Sequence, residues 1–291
     1  MYNLSDYTVT STARCSAEVD GSWSSKGDRQ PAPHASTLDA IIMANAMAQH
    51  YCQDVLGYSD AEIARLYPAR VAVRAGSEPA PIDSLSLSAN LEHIPGASPA
   101  ELIFRVTVAN LEVRLTLVEV DPSQFGKRLF GDGPSIGGVC RPRETVVEDL
   151  VLTDDATQIE ATAYVQKARE SHAQCGLGQR VSDWMQLSEA LLISAQICQV
   201  MIYQHDQIDR AESENLWMRR IDLELFPHEP LSPGEPTVIK GSIDRVTDVS
   251  LGETVFRTFR VSGGSDHLRC TSNIAHALPQ RTMAELMREI G

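Results

Sequence analysis

Two long apolar stretches, Thr37 to Leu56 and Trp184 to Gln204, stand at matching places in the two halves of a 291-residue chain. Each is too long for an ordinary strand and carries apolar residues on most faces of a helix. Such a helix must be covered on most sides. Each stretch is followed by several runs of strand-like alternation, which is the material to cover it. The length allows two units of about 150 residues each.

In the first half, Tyr7 to Ser24 alternates like a strand or a bent pair of strands, and Lys26 to Pro33 breaks the pattern with Gly27, Pro31 and Pro33. Ser36 is the expected N-cap of the first helix, with Asp39 three residues on as its reciprocal acceptor, and Gly57 the stop after it. Strands are expected over Ala69 to Ala75, Leu85 to Ile94 and Glu101 to Val120, the last as two strands joined at Asn110. Asp121 to Glu144 is rich in Gly and Pro and reads as a connection. Beyond it, Thr145 to Lys167 predicts a hairpin turning at Asp154 and Asp155. The second helix follows, with Ser182 or Asp183 as its N-cap. Four strands come next, at Leu216 to Phe226, Pro236 to Val249, Glu253 to Ser262 and Leu268 to Ala277, and then a short amphipathic helix from Arg281 to Ile290. The expected organisation is residues 1–125, a linker at 126–144, and residues 145–291. The expected class is α+β, a double hotdog, in which two long central helices are each wrapped by an antiparallel sheet. Hotdogs commonly act on acyl thioesters and β-keto compounds, although a fold alone does not assign a chemistry.

The net charge of -14 argues against nucleic-acid binding, which needs clustered Lys and Arg. It also argues against docking on an acidic carrier protein unless Lys127, Arg128, Arg141 and Arg143 gather into a patch. No apolar run approaches the ~20 residues of a membrane span. The opening MYNLSDYTVTSTAR has no basic stretch leading into an apolar one, so a cytoplasmic protein is expected. The six cysteines are scattered and lack zinc spacing; neither a metal nor a cofactor is expected. Serine-hydrolase, P-loop and dinucleotide-binding motifs are absent.

Within the second helix Glu189 stands out as a carboxylate in apolar surroundings. If buried, it suits proton abstraction next to a carbonyl; the alternative is an exposed acid favoured by the helix dipole. Gln196 lies further along the same helix. His34, Ser36 and Asp39 flank the head of the first helix, where N–H groups can hold a carbonyl or enolate oxygen. The plainer reading is that Ser36 and Asp39 only cap the helix. Trp184 joins Ser36 and Gln196 as a substrate-contacting residue. Arg219 and Arg220 fall on a strand, so one of them faces inward, to grip a phosphate, a carboxylate or a β-keto oxygen or to form a salt bridge with Glu189, Asp206 or Asp209. His50, His172, His205, His228, His267 and His276 show no ligand spacing and read as non-catalytic.

The segments WSSKGDRQPAPHASTLDA, SDWMQLSEALLISAQICQVMIYQHDQIDR and NLWMRRIDLEL together resemble the avirulence D family. The Glu189 segment is also similar to the Glu-Ala and Gln pattern on the central helix of hotdog dehydratases, with a longer Glu-to-Gln spacing. The His-x-x-x-Gly-x-x-x-x-Pro motif of polyketide-synthase dehydratases is missing. The avirulence D resemblance implies assembly of syringolide-like acyl glycosides, in which a β-ketoacyl group is joined to xylulose. By fold and chemistry it also implies kinship with hotdog β-ketoacyl transferases that start butenolide signals on dihydroxyacetone phosphate. The expected partners are an acyl thioester, of coenzyme A or acyl carrier protein, and a small sugar, in a bacterial monomer or homodimer. Glu189 would be the base and His34 a proton donor or second base, with Met43, Met47, Met185 and Met201 along the alkyl tail. The competing expectations are a hotdog thioesterase or dehydratase and a non-catalytic acyl-binding protein.

Overall fold

The computed structural model describes residues 2–3, 16–17, 34–76, 89–94, 101–121, 144–166, 177, 184–210, 216–252 and 254–278. The strands expected before the first helix fall mostly outside these residues. Only a two-residue pairing of β1 (Tyr2–Asn3) with β2 (Ser16–Ala17) lies within them. Nearly all of the 126–144 linker and the whole of the Arg281 to Ile290 helix also lie outside.

The first long helix, α1 (Thr37–Asp54), starts where the sequence places its cap. Asp39 N donates to Ser36 Oγ at 3.1 Å, and Asp39 Oδ2 accepts from Ser36 N at 2.9 Å and Ser36 Oγ at 2.6 Å. Two donors that the first helical turn cannot satisfy internally are thereby paired. A four-residue helix, α2 (Asp60–Ile63), repeats the arrangement with Ser59 and Glu62. The strands β3 (Leu66–Ala75), β4 (Ala89–Ile94), β5 (Glu101–Val108) and β6 (Leu111–Glu119) complete the first half. The break between β5 and β6 falls at Ala109 and Asn110, with Ala109 at φ 52.

The second half contributes β7 (Thr145–Leu152), β8 (Gln158–Val165), α3 (Leu187–Asp206), β9 (Trp217–Leu225), β10 (Thr237–Leu251), β11 (Thr254–Gly264) and β12 (Leu268–Ala277). The helix begins three residues later than expected, and the expected caps Ser182 and Asp183 lie outside the described residues. Gln186 is the N-cap, because the Glu189 side chain reaches back to the Gln186 N–H at 2.9 Å and fixes the start there. Among the described residues there are two long helices and one short one, and none is long and apolar enough to cross a membrane.

Apart from β1 and β2, the strands among the described residues form one antiparallel sheet in the order β4-β5-β6-β3-β9-β12-β11-β10-β8-β7. The two halves join where β3 pairs with β9, from Arg70 opposite Glu224 to Arg74 opposite Arg220. Both long helices lie against this sheet and touch each other, α1 over β3 to β6 and α3 mainly over the strands of the second half. Alternation puts Val71, Val73, Phe104, Val106, Val113 and Leu115 in the shared core with Ile41, Met43 and Met47 of α1. The apolar helices are thus covered by the inner face of a sheet built from both halves, the burial that drives the fold.

Two facing glycines allow close approaches, Gly241 to Met201 and Ile197 of α3 and Gly263 to the backbone of β10. Gly241 of β10 opposes Gly263 of β11. A Cβ at Gly241 would stand 3.1 Å from Ile159 Cγ2 and 3.3 Å from Met201 Sδ, while one at Gly263 would meet Lys240 O at 2.6 Å. The obstacle at Gly263 is backbone and cannot swing aside. Gly263→Ala is therefore expected to part β10 from β11 and lower stability by about 1–3 kcal/mol, read as a reduced urea midpoint.

Candidate functional site

The two long helices carry an acidic residue at the same position, third in the helix: Asp39 in α1 and Glu189 in α3. Both accept from their own N-cap N–H, but their surroundings differ. Asp39 is half-buried and shares its carboxylate with the Ser36 hydroxyl. Glu189 is fully buried at 0% exposure, and its cap residue, Gln186, turns its own amide to donate to Trp184 O at 3.1 Å. Ser188, its neighbour in the first turn, is 3% exposed, and its Oγ has no hydrogen-bond partner among the described residues. A carboxylate, a hydroxyl and the N-terminal N–H groups of a 20-residue helix are thus gathered at one buried point. Such a point suits a developing negative charge.

The surroundings of this helix head are rigid. Trp184 packs edge-on against Tyr67 of β3, with ring centroids 5.3 Å apart at 82°, and Tyr67 Oη donates to Met185 O at 2.5 Å. Trp184, expected to touch substrate, is 6% exposed and part of this packing. Gln196 is exposed and lines a cleft of about 390 Å³ with Val200 and, from β7, Thr145, Val146, Val147 and Leu150. At about 100° per residue, Glu189, Ile193, Gln196 and Val200 fall on one stripe of α3, with Gln196 about 10 Å along the axis from Glu189. The cleft therefore opens on the side of the helix that begins at Glu189.

His34 is half-buried two residues before the cap of α1. Arg219 and Arg220 alternate as expected, Arg219 half-buried and Arg220 exposed. Arg219 donates to Gly76 O at 2.6 Å, which ties β9 to the end of β3. Arg220 is exposed and pairs with Asp222 at 2.6 Å.

The ion pair sought for Asp206 is made by Arg257 instead, within a buried polar cluster that includes two of the histidines read as non-catalytic. Asp206 ends α3 with its side chain at 0% exposure. It lies 2.9 Å from Arg257 Nη1, 3.0 Å from His205 Nδ1 and 2.7 Å from His276 Nε2. Arg257 also forks onto Asp248 at 2.7 and 2.8 Å. Burial alone would raise the Asp206 carboxyl, but the hydrogen bonds from His276, His205 and Arg257, with the Arg257 charge, outweigh it and hold its pKa below the ordinary value. The cluster is about 25 Å along α3 from Glu189 at 1.5 Å per residue, and it pins the helix end to β11 and β12.

Among the described residues no group of His, Cys, Asp and Glu is placed to hold a metal ion. Cys52, Cys198 and Cys270 are buried free thiols. Burial pushes their pKa values up to about 12, 11 and 12, respectively, which makes them poor nucleophiles at neutral pH.

Several solved structures are similar to this chain. The tesB protein MAP1729c of Mycobacterium avium subs paratuberculosis matches with 11% identity over 94% of this chain and 96% of its own, at a TM-score of 0.50. A Lactobacillus plantarum protein described as an oleoyl thioesterase matches with 11% identity over 84% and 90%, at 0.45. A MaoC-like dehydratase matches with 9% identity over 82% and 83%, at 0.39. At 11% identity the likeness to the tesB protein is one of fold alone. No curated protein matches significantly. The sequence itself fits the model of the Pseudomonas avirulence D protein (AvrD) over residues 3–279. With the match running through both helices and every strand of the large sheet, this chain belongs to the avirulence D family.

Proposed function

We propose that this protein transfers a β-ketoacyl group from a thioester, of coenzyme A or acyl carrier protein, to a small ketose such as xylulose and closes a butenolide-like ring. The two halves, 1–125 and 145–291, are read as the two hotdogs of a double hotdog. The observation that carries the proposal is the fully buried Glu189 carboxylate in the first turn of α3, in a chain of the avirulence D family. A hydroxyl of the ketose attacks the thioester carbonyl, the thiol leaves, and an ester forms. Glu189 then takes the acidic proton from the carbon between the two carbonyls. That carbon adds to the ketone of the sugar, which takes up a proton to become a hydroxyl and so closes the ring. Loss of that hydroxyl as water leaves the butenolide double bond. His34 is the proposed proton donor or second base, and the alkyl tail is assigned to the cleft lined by Gln196, Val200, Val146 and Leu150.

Mass spectrometry of the purified protein with a medium-chain β-ketoacyl thioester, with and without xylulose or dihydroxyacetone phosphate, tests this reading. A product heavier by the sugar, formed only when both substrates are present, is the expected result. Release of free β-keto acid regardless of sugar would make the protein a thioesterase. An unchanged thioester in every combination would remove the acyl-transfer reading.

A further inference from the structure

The buried hydroxyl of Ser188 has no role in the fold that its contacts account for. It is 3% exposed and its Oγ finds no hydrogen-bond partner among the described residues. Buried polar groups are nearly always paired, and one left unpaired weakens the fold. A helical serine usually has a simple way out, since its hydroxyl can bond a backbone carbonyl one turn earlier. Ser188 is the second residue of α3, so that earlier turn does not exist. Its Cα–Cβ bond leans toward the helix N-terminus, the same end at which the N–H groups of Leu187 and Ser188 have no intrahelical acceptor. Next to it is Glu189, also fully buried.

We infer that Ser188 Oγ and the N–H groups at the head of α3 form an oxyanion-binding subsite, and that its ligand is the carbonyl oxygen of a β-ketoacyl thioester that becomes an enolate. This rests on the proposed function and adds the group that receives the charge. When Glu189 takes the proton from the carbon between the two carbonyls, the C–H electron pair becomes the enolate double bond and the negative charge moves to the oxygen. Ser188 O–H donates to that oxygen. The hydroxyl that has no partner within the fold gains one in the complex, and the bond strengthens as charge develops. Spacing arguments would not find this residue, because a serine beside a cap is common and only the absence of a partner sets it apart.

Ser188→Ala separates this role from a structural one. In the full-length protein, the variant is expected to keep or raise the melting temperature, because it removes a buried unpaired group. It is also expected to bind a β-ketoacyl-CoA about 10- to 100-fold more weakly and to slow its turnover at least as much. A lowered melting temperature with binding and turnover unchanged would show a structural hydroxyl and overturn the inference. Glu189→Gln, measured alongside, keeps the two claims apart. If Glu189→Gln loses turnover and Ser188→Ala does not, the subsite is wrong and the acyl chemistry stands. If the wild-type protein neither binds nor converts any β-ketoacyl thioester, the acyl chemistry fails and the subsite falls with it.

Discussion

Replacing Asp206 by Ala is expected to lower folding stability by about 3–5 kcal/mol, the usual result of removing one partner from a buried ion pair. The midpoint of guanidinium unfolding should drop with little change in slope. The carboxylate accepts from groups on two other parts of the sheet, Arg257 on β11 at 2.9 Å and His276 on β12 at 2.7 Å, as well as from His205 beside it. His276 is 0% exposed and its Nδ1 already lacks a partner, so without Asp206 both ring nitrogens would be buried and unpaired. Arg257 would keep its fork onto Asp248, but its charge, 14% exposed, would lose the inner of its two counter-charges. Asp248→Ala provides the contrast. Asp248 is 40% exposed, so water can replace it, and its loss should cost far less.

The pH dependence of the same cluster follows from the direction of the Asp206 shift. Its pKa in the folded state lies below the ordinary value, so its contribution is fully present above about pH 4, the unfolded aspartate value. The contribution is lost as pH falls through the folded pKa. The stability gap between wild type and Asp206→Asn should therefore be flat across the neutral range and close only in acid. A gap that closed between pH 6 and 8 would mean that a histidine, not Asp206, governs the cluster.

Local signals in the sequence were faithful where the chain talks to near neighbours. The Ser36–Asp39 box begins α1 as expected, the β7–β8 hairpin turns at Asp154 and Asp155, and β12 runs from Leu268 to Ala277. In each case a cap or a turn and its flanking alternation lie within a few residues. The start of α3 was misjudged because Ser182 and Asp183 are better caps by residue type. A cap is completed by a reciprocal acceptor three residues on, and Glu189 supplies that to Gln186. Long-range pairing was out of reach. Asp206 meets His276 across 70 residues and Arg257 across 51, and no spacing rule links an aspartate at a helix end to a histidine on the last strand. The joining of the halves through β3 and β9 was equally hidden, since an edge strand and a central strand share the same alternation. The acidic residues of the candidate site were visible as types and positions. Their difference in burial was not, because the segments around both are rich in apolar residues.

Glu189→Gln is expected to reduce turnover of a β-ketoacyl thioester by about 10²- to 10⁴-fold, the range for loss of a positioned general base, while leaving the fold intact. The side-chain carbonyl of Gln can still accept from Gln186 N–H, now 2.9 Å from the carboxylate, so the cap survives and only the basicity goes. The fall should appear in kcat, with KM little changed, because the proton is taken in the transition state rather than in binding. Asp39→Asn is the matched comparison, at the same position of the other helix and with the same hydrogen bond to its N-cap. Asp39 is half-buried and its carboxylate is occupied by both the Ser36 N–H and hydroxyl. A small rate effect there, beside a large one at Glu189, would place the chemistry at the head of α3. Equal losses at both positions would mean that each helix head contributes to one reaction. Equal indifference would reduce both acids to caps and require the base to be sought elsewhere in the chain.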